Sequence, residues 1–311
     1  MDPDRPTLRT YLLHGSLFLA TFFTCTFAGV QWLNKDSLEL ANFPAGFGYS
    51  LLLILFLASH EFGHYIAARM YGISVTLPFF IPIPHFLNPF GTMGAVIRIR
   101  SPFPSRRSLF DVGIAGPIAG FIVTLIVLLI GFINLPGKEY LYSIHPEYAR
   151  MAEIPSGGFT FGSSLLFWFL CKIFASHGFV PPMNEIYHYP LLCVGWFGMF
   201  VTAMNLLPVG QLDGGHVVYA LLGPDAQHKV ARVTFVLLVL LGLTGIIPAF
   251  GSSRQLGTLG WLVWAGILLF VIRLDHPQLM FPDELSPSRR FLGWLSIAIF
   301  ILSFPPIPFY D

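Results

Sequence analysis

Apolar runs close to the length that crosses a bilayer recur along this chain and leave it few ways to fold. They lie at about Tyr11–Leu33, Ser50–Met70, Leu109–Ile133, Pro190–Leu207, Lys229–Ile247, Leu259–Arg273 and Phe291–Phe304, against the ~20 residues needed to span hydrocarbon. Only 11% of the 311 residues are charged and mean hydropathy is +0.70, whereas a soluble domain carries roughly one-quarter charged residues. With lipid as solvent, backbone N–H and C=O groups must be bonded within each segment, which restricts the runs to helices. The expectation is an all-α polytopic membrane protein of about seven transmembrane helices with a small membrane-associated β hairpin. It is read as a single membrane-embedded domain over residues 1–311, with a core at 47–250 and extra helices at 11–33, 257–274 and 291–304.

A further apolar run, Gly162–Ser176, is only about fifteen residues long and is read as re-entrant or interfacial. Placing the N-terminus in the cytoplasm puts twelve of the seventeen Lys and Arg residues inside, among them Arg5, Arg9, Arg98, Arg100, Arg106 and Arg107. Making Gly162–Ser176 a full crossing would invert every later segment and spoil that positive-inside balance. A net charge of +1 gives no reason to expect nucleic acid as a partner. Cys25, Cys171 and Cys193 lie in apolar runs at wide spacing and are read as buried fillers rather than disulfides or thiolate ligands. The first apolar run is too long for a signal-peptide core, so it is expected to remain as a helix; lack of a transit peptide suggests a prokaryotic inner membrane, with a chloroplast membrane and a processed N-terminus as the alternative.

In the second run, His60-Glu61-Phe62-Gly63-His64 sets two imidazoles four residues apart on one helical face, where both can grip one zinc ion. The glutamate after the first histidine can serve as general base toward water that the metal acidifies. An ordinary pair of core histidines is the bland alternative, weakened because ionisable groups within membrane helices usually mark function. A catalytic zinc usually takes three protein ligands. Asp213, in the glycine-rich break Pro208–Gly215 after an apolar helix, is the best candidate for the third, although Asp-Gly is also a common exposed turn.

The pairing of H-E-x-x-H with Asn205, Pro208, Asp213 and Gly214 resembles the N-x-x-P-x-x-x-x-D-G segment of the site-2 protease family of intramembrane zinc metalloproteases. The similarity extends over most of the membrane core, including the Gly116-Pro117 pair of the third helix. That resemblance implies that His60, His64 and Asp213 bind one zinc per chain, that Glu61 is the catalytic general base, and that Asn205 helps position substrate. His216, three residues beyond Asp213, is the competing ligand. The remaining histidines, including His85, His145, His188 and His276, form no tight cluster in the sequence and are read as interfacial polar groups.

Six prolines between Gly72 and Arg107 exclude a helix there. Alternating branched and basic residues at Gly91–Arg100 suggest a strand pairing with Ser74–Ile83 close to the metal. An open edge of that hairpin could receive an extended substrate, with Gly91 and Gly94 as candidate substrate-binding positions, or the segment is simply a cytoplasmic loop. The small residues Gly113, Gly116 and Gly120 are a packing signal in the third helix. The loop at 134–161 is too short for an inserted PDZ domain, which suggests an upstream protease that trims substrates.

Together these features predict a protease acting in or near a transmembrane segment of another, single-pass membrane protein, as in regulated intramembrane proteolysis. The alternative is a proteolytically inactive homologue that binds membrane partners as a scaffold. A transporter is disfavoured because no inverted repeat is visible.

Overall fold

The computed structural model describes residues 6–175, 178–246, 257–277 and 283–311. In chain order the helices are α1 (Leu8–Trp32), α2 (Phe47–Met70), α3 (Arg106–Ile133), α4 (Lys138–Ile144), α5 (Leu165–Ala175), α6 (Pro190–Asn205), α7 (Asp213–Leu222), α8 (Pro224–Thr244), α9 (Gly260–Ile267) and α10 (Pro287–Ser303). A 3₁₀ segment, Leu40–Gly46, leads into α2, and one π-helical turn, Leu268–Ile272, extends α9. Strands β1 (Phe79–Pro82) and β2 (Thr92–Val96) pair antiparallel, as do the two-residue strands β3 (Thr160–Phe161) and β4 (Phe309–Tyr310).

Among the described residues, four helical segments are long and apolar enough to cross a membrane: Leu8–Trp32, Leu40–Met70, Arg106–Ile133 and Pro224–Thr244. The other three expected crossings are shorter, so the expectation of seven is only partly met. Pro190–Asn205 spans roughly 24 Å of helix, below the ~30 Å of hydrocarbon. Gly260–Ile272 is shorter still, and α10 has 17 residues. Within the expected short run, α5 has 11 residues, too few to cross, in keeping with its reading as non-spanning. The end of the expected Lys229–Ile247 helix at Ile247, and the end of the expected core at 247–250, lie outside the described residues.

The chain divides into two compact units. The first comprises residues 1–102, 119–156 and 173–198. Here α1 packs against β1, the 3₁₀ segment and α2. Two inward-facing polar groups of α1 are bonded across the unit: the Thr26 hydroxyl donates to Ser50 Oγ at 2.9 Å, and His14 Nδ1 sits 2.8 Å from the Pro78 carbonyl. The expected hairpin forms. Phe79 faces Val96 and Phe80 faces Ala95, and the ladder continues through Arg100 N–H to Ser74 O at 2.8 Å and a bridge between Val75 and Ile99. Cys25 and Cys193 are buried as expected, whereas Cys171, in the other unit, is partly exposed.

The second unit comprises residues 103–118, 157–172 and 199–311. One of its cores gathers Leu109, Phe110, Ile114, Val217, Tyr219 and Ala220; another gathers Leu207, Val209, Leu238, Trp261 and Leu268. The start of α3 is held by distant charges. Asp283 accepts from the Arg106 and Arg107 amides at 2.9 and 3.1 Å, supplying an N-terminal cap from far along the chain. The Arg106 guanidinium donates to the Ala220 carbonyl at 2.7 Å near the end of α7, and Arg289 of α10 makes a two-pronged ion pair with Asp111 at 2.8 and 2.7 Å.

Desolvation raises the pKa of Asp283, but the hydrogen bonds from the Arg106 and Arg107 amides outweigh it and hold the carboxyl below its usual value. A carboxyl depressed in the folded state stabilises above its unfolded pKa of about 3.9, and that contribution fades as pH falls through the folded value. Asp283→Ala should therefore destabilise the detergent-solubilised protein by about 1 kcal/mol at neutral pH, as loss of a helix cap does. The gap in thermal unfolding between variant and wild type should narrow below about pH 4; an unchanged gap there would assign the effect to packing.

Candidate metal centre

Helix α2 carries His60, Glu61 and His64 in its second half, and all three are buried, at 3%, 7% and 7% exposure. The i, i+4 spacing turns both rings to one face. His60 Nε2 and His64 Nε2 stand 3.2 Å apart, with ring centroids 4.9 Å apart at a steep interplanar angle of 73°. Two nitrogens each about 2.0–2.1 Å from one tetrahedral zinc would be about 3.4 Å apart, so the pair fits a shared ion.

The face behind His60 is closed by α3 within the same unit. A Cβ on Gly120 would lie 3.1 Å from the Phe56 ring and 3.2 Å from His60 Nδ1. Glycine is what lets α3 come this close, so this residue, read from sequence only as a packing signal, packs directly against the His60 ring.

The β1–β2 hairpin belongs to the same unit, and β2 packs against α2. Gly91 and Gly94 have φ of +78° and +98°. Gly91 serves the hairpin's seat: a Cβ there would stand 2.5 Å from the Thr24 carbonyl oxygen and 2.7 Å from Cys25 Cα of α1. Around Gly94 no atom of the described residues lies within 4 Å of an added Cβ, and its neighbours Met93 and Val96 are exposed at 63% and 48%. The open part of the strand is therefore near Gly94.

In the second unit, Asn205 is the last residue of α6 and Asp213 the first of α7, both partly buried. The intervening break is not the exposed turn that Asp-Gly alone suggests. Leu206, Leu207, Val209, Gly210, Gly214 and Gly215 are buried. The loop amides bond internally, Gly210 N–H to Leu274 O at 2.9 Å and Leu212 N–H to Val209 O at 3.2 Å. Asp213 thus sits in the first turn of a helix, where its negative charge is favoured. His216, the competing ligand, has its Nδ1 2.8 Å from His276 Nε2 within this unit.

Sequence reading missed these histidine pairings. His276 joins His216 from 60 positions away, and His145 Nε2 lies 3.0 Å from His188 Nε2, 43 positions away. The expectation that the remaining histidines form no tight cluster is overturned, because chain folding, with no periodic signal, brings them together.

The family model described as Peptidase family M50 matches residues 48–241, a span that includes His60, Glu61, His64, Asn205 and Asp213. Relatives include the probable zinc metalloprotease EGY1, chloroplastic, of Oryza sativa subsp. japonica, 28% identical over 100% of this chain and 52% of that protein. The protein of the same name from Arabidopsis thaliana is 30% identical over 86% of this chain and 43% of its own length. The probable zinc metalloprotease EGY2, chloroplastic, of Arabidopsis thaliana is 26% identical over 99% of this chain and 51% of its own length. The chain spans about half the length of the curated relatives it matches. Their names place those relatives in chloroplasts and give no support to the expectation of a prokaryotic inner membrane. With the motif pair lying inside the matched span, the chain belongs to peptidase family M50, the site-2 protease family.

Proposed function

We propose that this chain is the membrane core of a zinc endopeptidase that hydrolyses a peptide bond in or near a transmembrane segment of another membrane protein. The observation that carries the reading is the buried His60–His64 pair, 3.2 Å apart and followed directly by the buried Glu61, inside the family match. Zinc would be held by His60, His64 and Asp213. When bound, it supplies Lewis acidity that acidifies water and polarises a carbonyl.

The remaining steps fall to side chains of the chain itself. Glu61 takes a proton from the attacking water and passes it to the leaving amine as the peptide C–N bond gives way to C–O. Asn205 offers a side-chain amide to the substrate backbone beside the break. Substrate chain in extended form would add to the hairpin near Gly94, where the open space and exposed neighbours support such an addition. Gly91 would act indirectly, by seating that strand on α1.

In this reading the chain is a multi-pass integral membrane protein with seven crossings and a cytoplasmic N-terminus. The placement of twelve of the seventeen basic residues on one side supports it, as does the 11-residue length of α5. Its partners are the bilayer, a single-pass substrate and an upstream protease that shortens that substrate.

Glu61→Gln should keep the zinc and lose cleavage of a model single-pass substrate by at least about 10²-fold. Asp213→Ala should release one equivalent of zinc, measured by elemental analysis of the purified protein. Cleavage that survives Glu61→Gln would sink the mechanism, and zinc retention without cleavage by wild type would favour the scaffold alternative. Gly120→Val should weaken zinc retention through its clash with His60, by about 10-fold or more in a chelator competition, the size expected when support of a metal-binding histidine is disturbed.

A further inference from the structure

We propose that His145, Glu185 and His188 form a second metal site, for a zinc-class divalent cation, distinct from the one on α2. The three residues belong to the loops of the first unit: His145 follows α4, while Glu185 and His188 precede α6. One ligand atom from each lies within 4.8 Å of the others. His145 Nε2 is 3.0 Å from His188 Nε2, and Glu185 Oε2 is 3.3 Å from His188 Nε2 and 4.0 Å from His145 Nε2. Ligands about 2.05 Å from one tetrahedral ion stand about 3.4 Å apart. The two separations to His188 Nε2 lie close to that spacing, and the one between Glu185 and His145 is wider.

Proton placement makes the case sharper. His188 Nδ1 faces the Trp32 carbonyl, which can only accept, so Nδ1 carries the hydrogen and Nε2 of the neutral ring presents a lone pair. His145 Nδ1 faces Glu147 Oε1 at 3.1 Å and is held in the same tautomer. Glu185 is 2% exposed; its Oε1 accepts from the Tyr148 hydroxyl at 3.0 Å and the Asn184 amide at 3.1 Å. No donor among the described residues hydrogen-bonds to Oε2, which is buried and turned toward the two rings. In these tautomers two ring lone pairs and a carboxylate oxygen converge on one point.

Repulsion among three such atoms is relieved by a cation at their centre. Rings whose far nitrogens donate to a carbonyl or carboxylate are the usual support of metal-binding histidines, fixing tautomer and direction. Two imidazoles with one carboxylate suit zinc and its neighbours better than calcium or magnesium, which take oxygen ligands. Tyr148 stacks on His145 at 4.7 Å while its hydroxyl donates to Glu185 Oε1, so one side chain supports two of the three ligands. The bound ion would tie the loops after α4 and before α6 to the end of α1, where Trp32 lies. Gly120, which backs His60, is roughly 20 Å of helix from the end of α3 that leads into these loops, so the two sites are separate.

The alternative is a single shared proton that makes one ring an imidazolium. Zinc content of the full-length, detergent-purified chain separates the two after equilibration in buffered zinc. Wild type should hold about two equivalents, and His60→Ala/His64→Ala, His145→Gln and Glu185→Gln about one each. His145→Gln changes the most exposed of the three ligands and leaves the His188–Trp32 contact in place, so loss of zinc there is not a consequence of unfolding. Cobalt added to the His60→Ala/His64→Ala variant should give the visible bands of a bound ion at one equivalent and raise its thermal unfolding temperature. Both responses should vanish on adding His145→Gln.

If the His60→Ala/His64→Ala variant holds no zinc and shows no cobalt bands, the second site is overturned and the shared proton stands. A wild type with one zinc that survives His60→Ala/His64→Ala but not His145→Gln would uphold this site while overturning the ligand set proposed on α2.

Discussion

Two imidazoles held 3.2 Å apart in the second half of a long apolar helix are the arrangement on which the rest of this structure depends. Ionisable groups in a membrane segment are costly and must be enclosed by protein rather than lipid. The enclosure comes from close approach. Gly120 brings α3 against His60 and Phe56, and β2 packs on the same helix. The hairpin follows the rule that enclosed backbone groups are paired: its strands bond to each other from Phe79–Val96 through to Ser74–Arg100. The same rule governs the break between α6 and α7, whose amides find carbonyls at Val209 and Leu274.

Where local periodicity decides structure, the sequence was readable. The long helices follow from hydropathy, the hairpin from its alternation and prolines, and the His60–His64 pair from the helical repeat. Element ends were harder. Helix α3 begins at Arg106 rather than Leu109, because its cap is supplied by Asp283. The apolar run Leu259–Arg273 reads as one crossing; its helix fills Gly260–Ile272, but the last five residues form a π turn and Arg273 ends it with a positive φ of 67°. Hydropathy records which residues tolerate lipid; it carries no information on where the hydrogen-bond pattern changes.

The candidate site divides along the same line. His60, Glu61 and His64 were legible because one helix sets their spacing. Asp213 needed a family pattern, since by residue type alone it is a turn aspartate. Gly120 was visible as a small residue, but its use depends on which side chain of another helix faces it. Gly91 reads in the sequence as a candidate substrate-binding position, and its place against Thr24 and Cys25 adds a reason for glycine that no strand pattern encodes.

The contrast between the two histidine groups shows how differently a fold can converge ligands. On α2 the helical period aims both rings, and neighbouring helices need only close around them. In the loops no period exists, so each ring must be turned by its own hydrogen bond: His188 by the Trp32 carbonyl, His145 by Glu147, and Glu185 by Tyr148 and Asn184. The parts come from three separate stretches of chain, around Trp32, His145–Tyr148 and Asn184–His188, which is why the cluster left no trace in the sequence. Yet such partners would hardly be needed if the rings were only interfacial polar groups, since a histidine in contact with water finds its hydrogen bonds in any orientation. Their direction toward a common centre, with a 2% exposed carboxylate completing it, is the physical distinction between scattered polar residues and a built site.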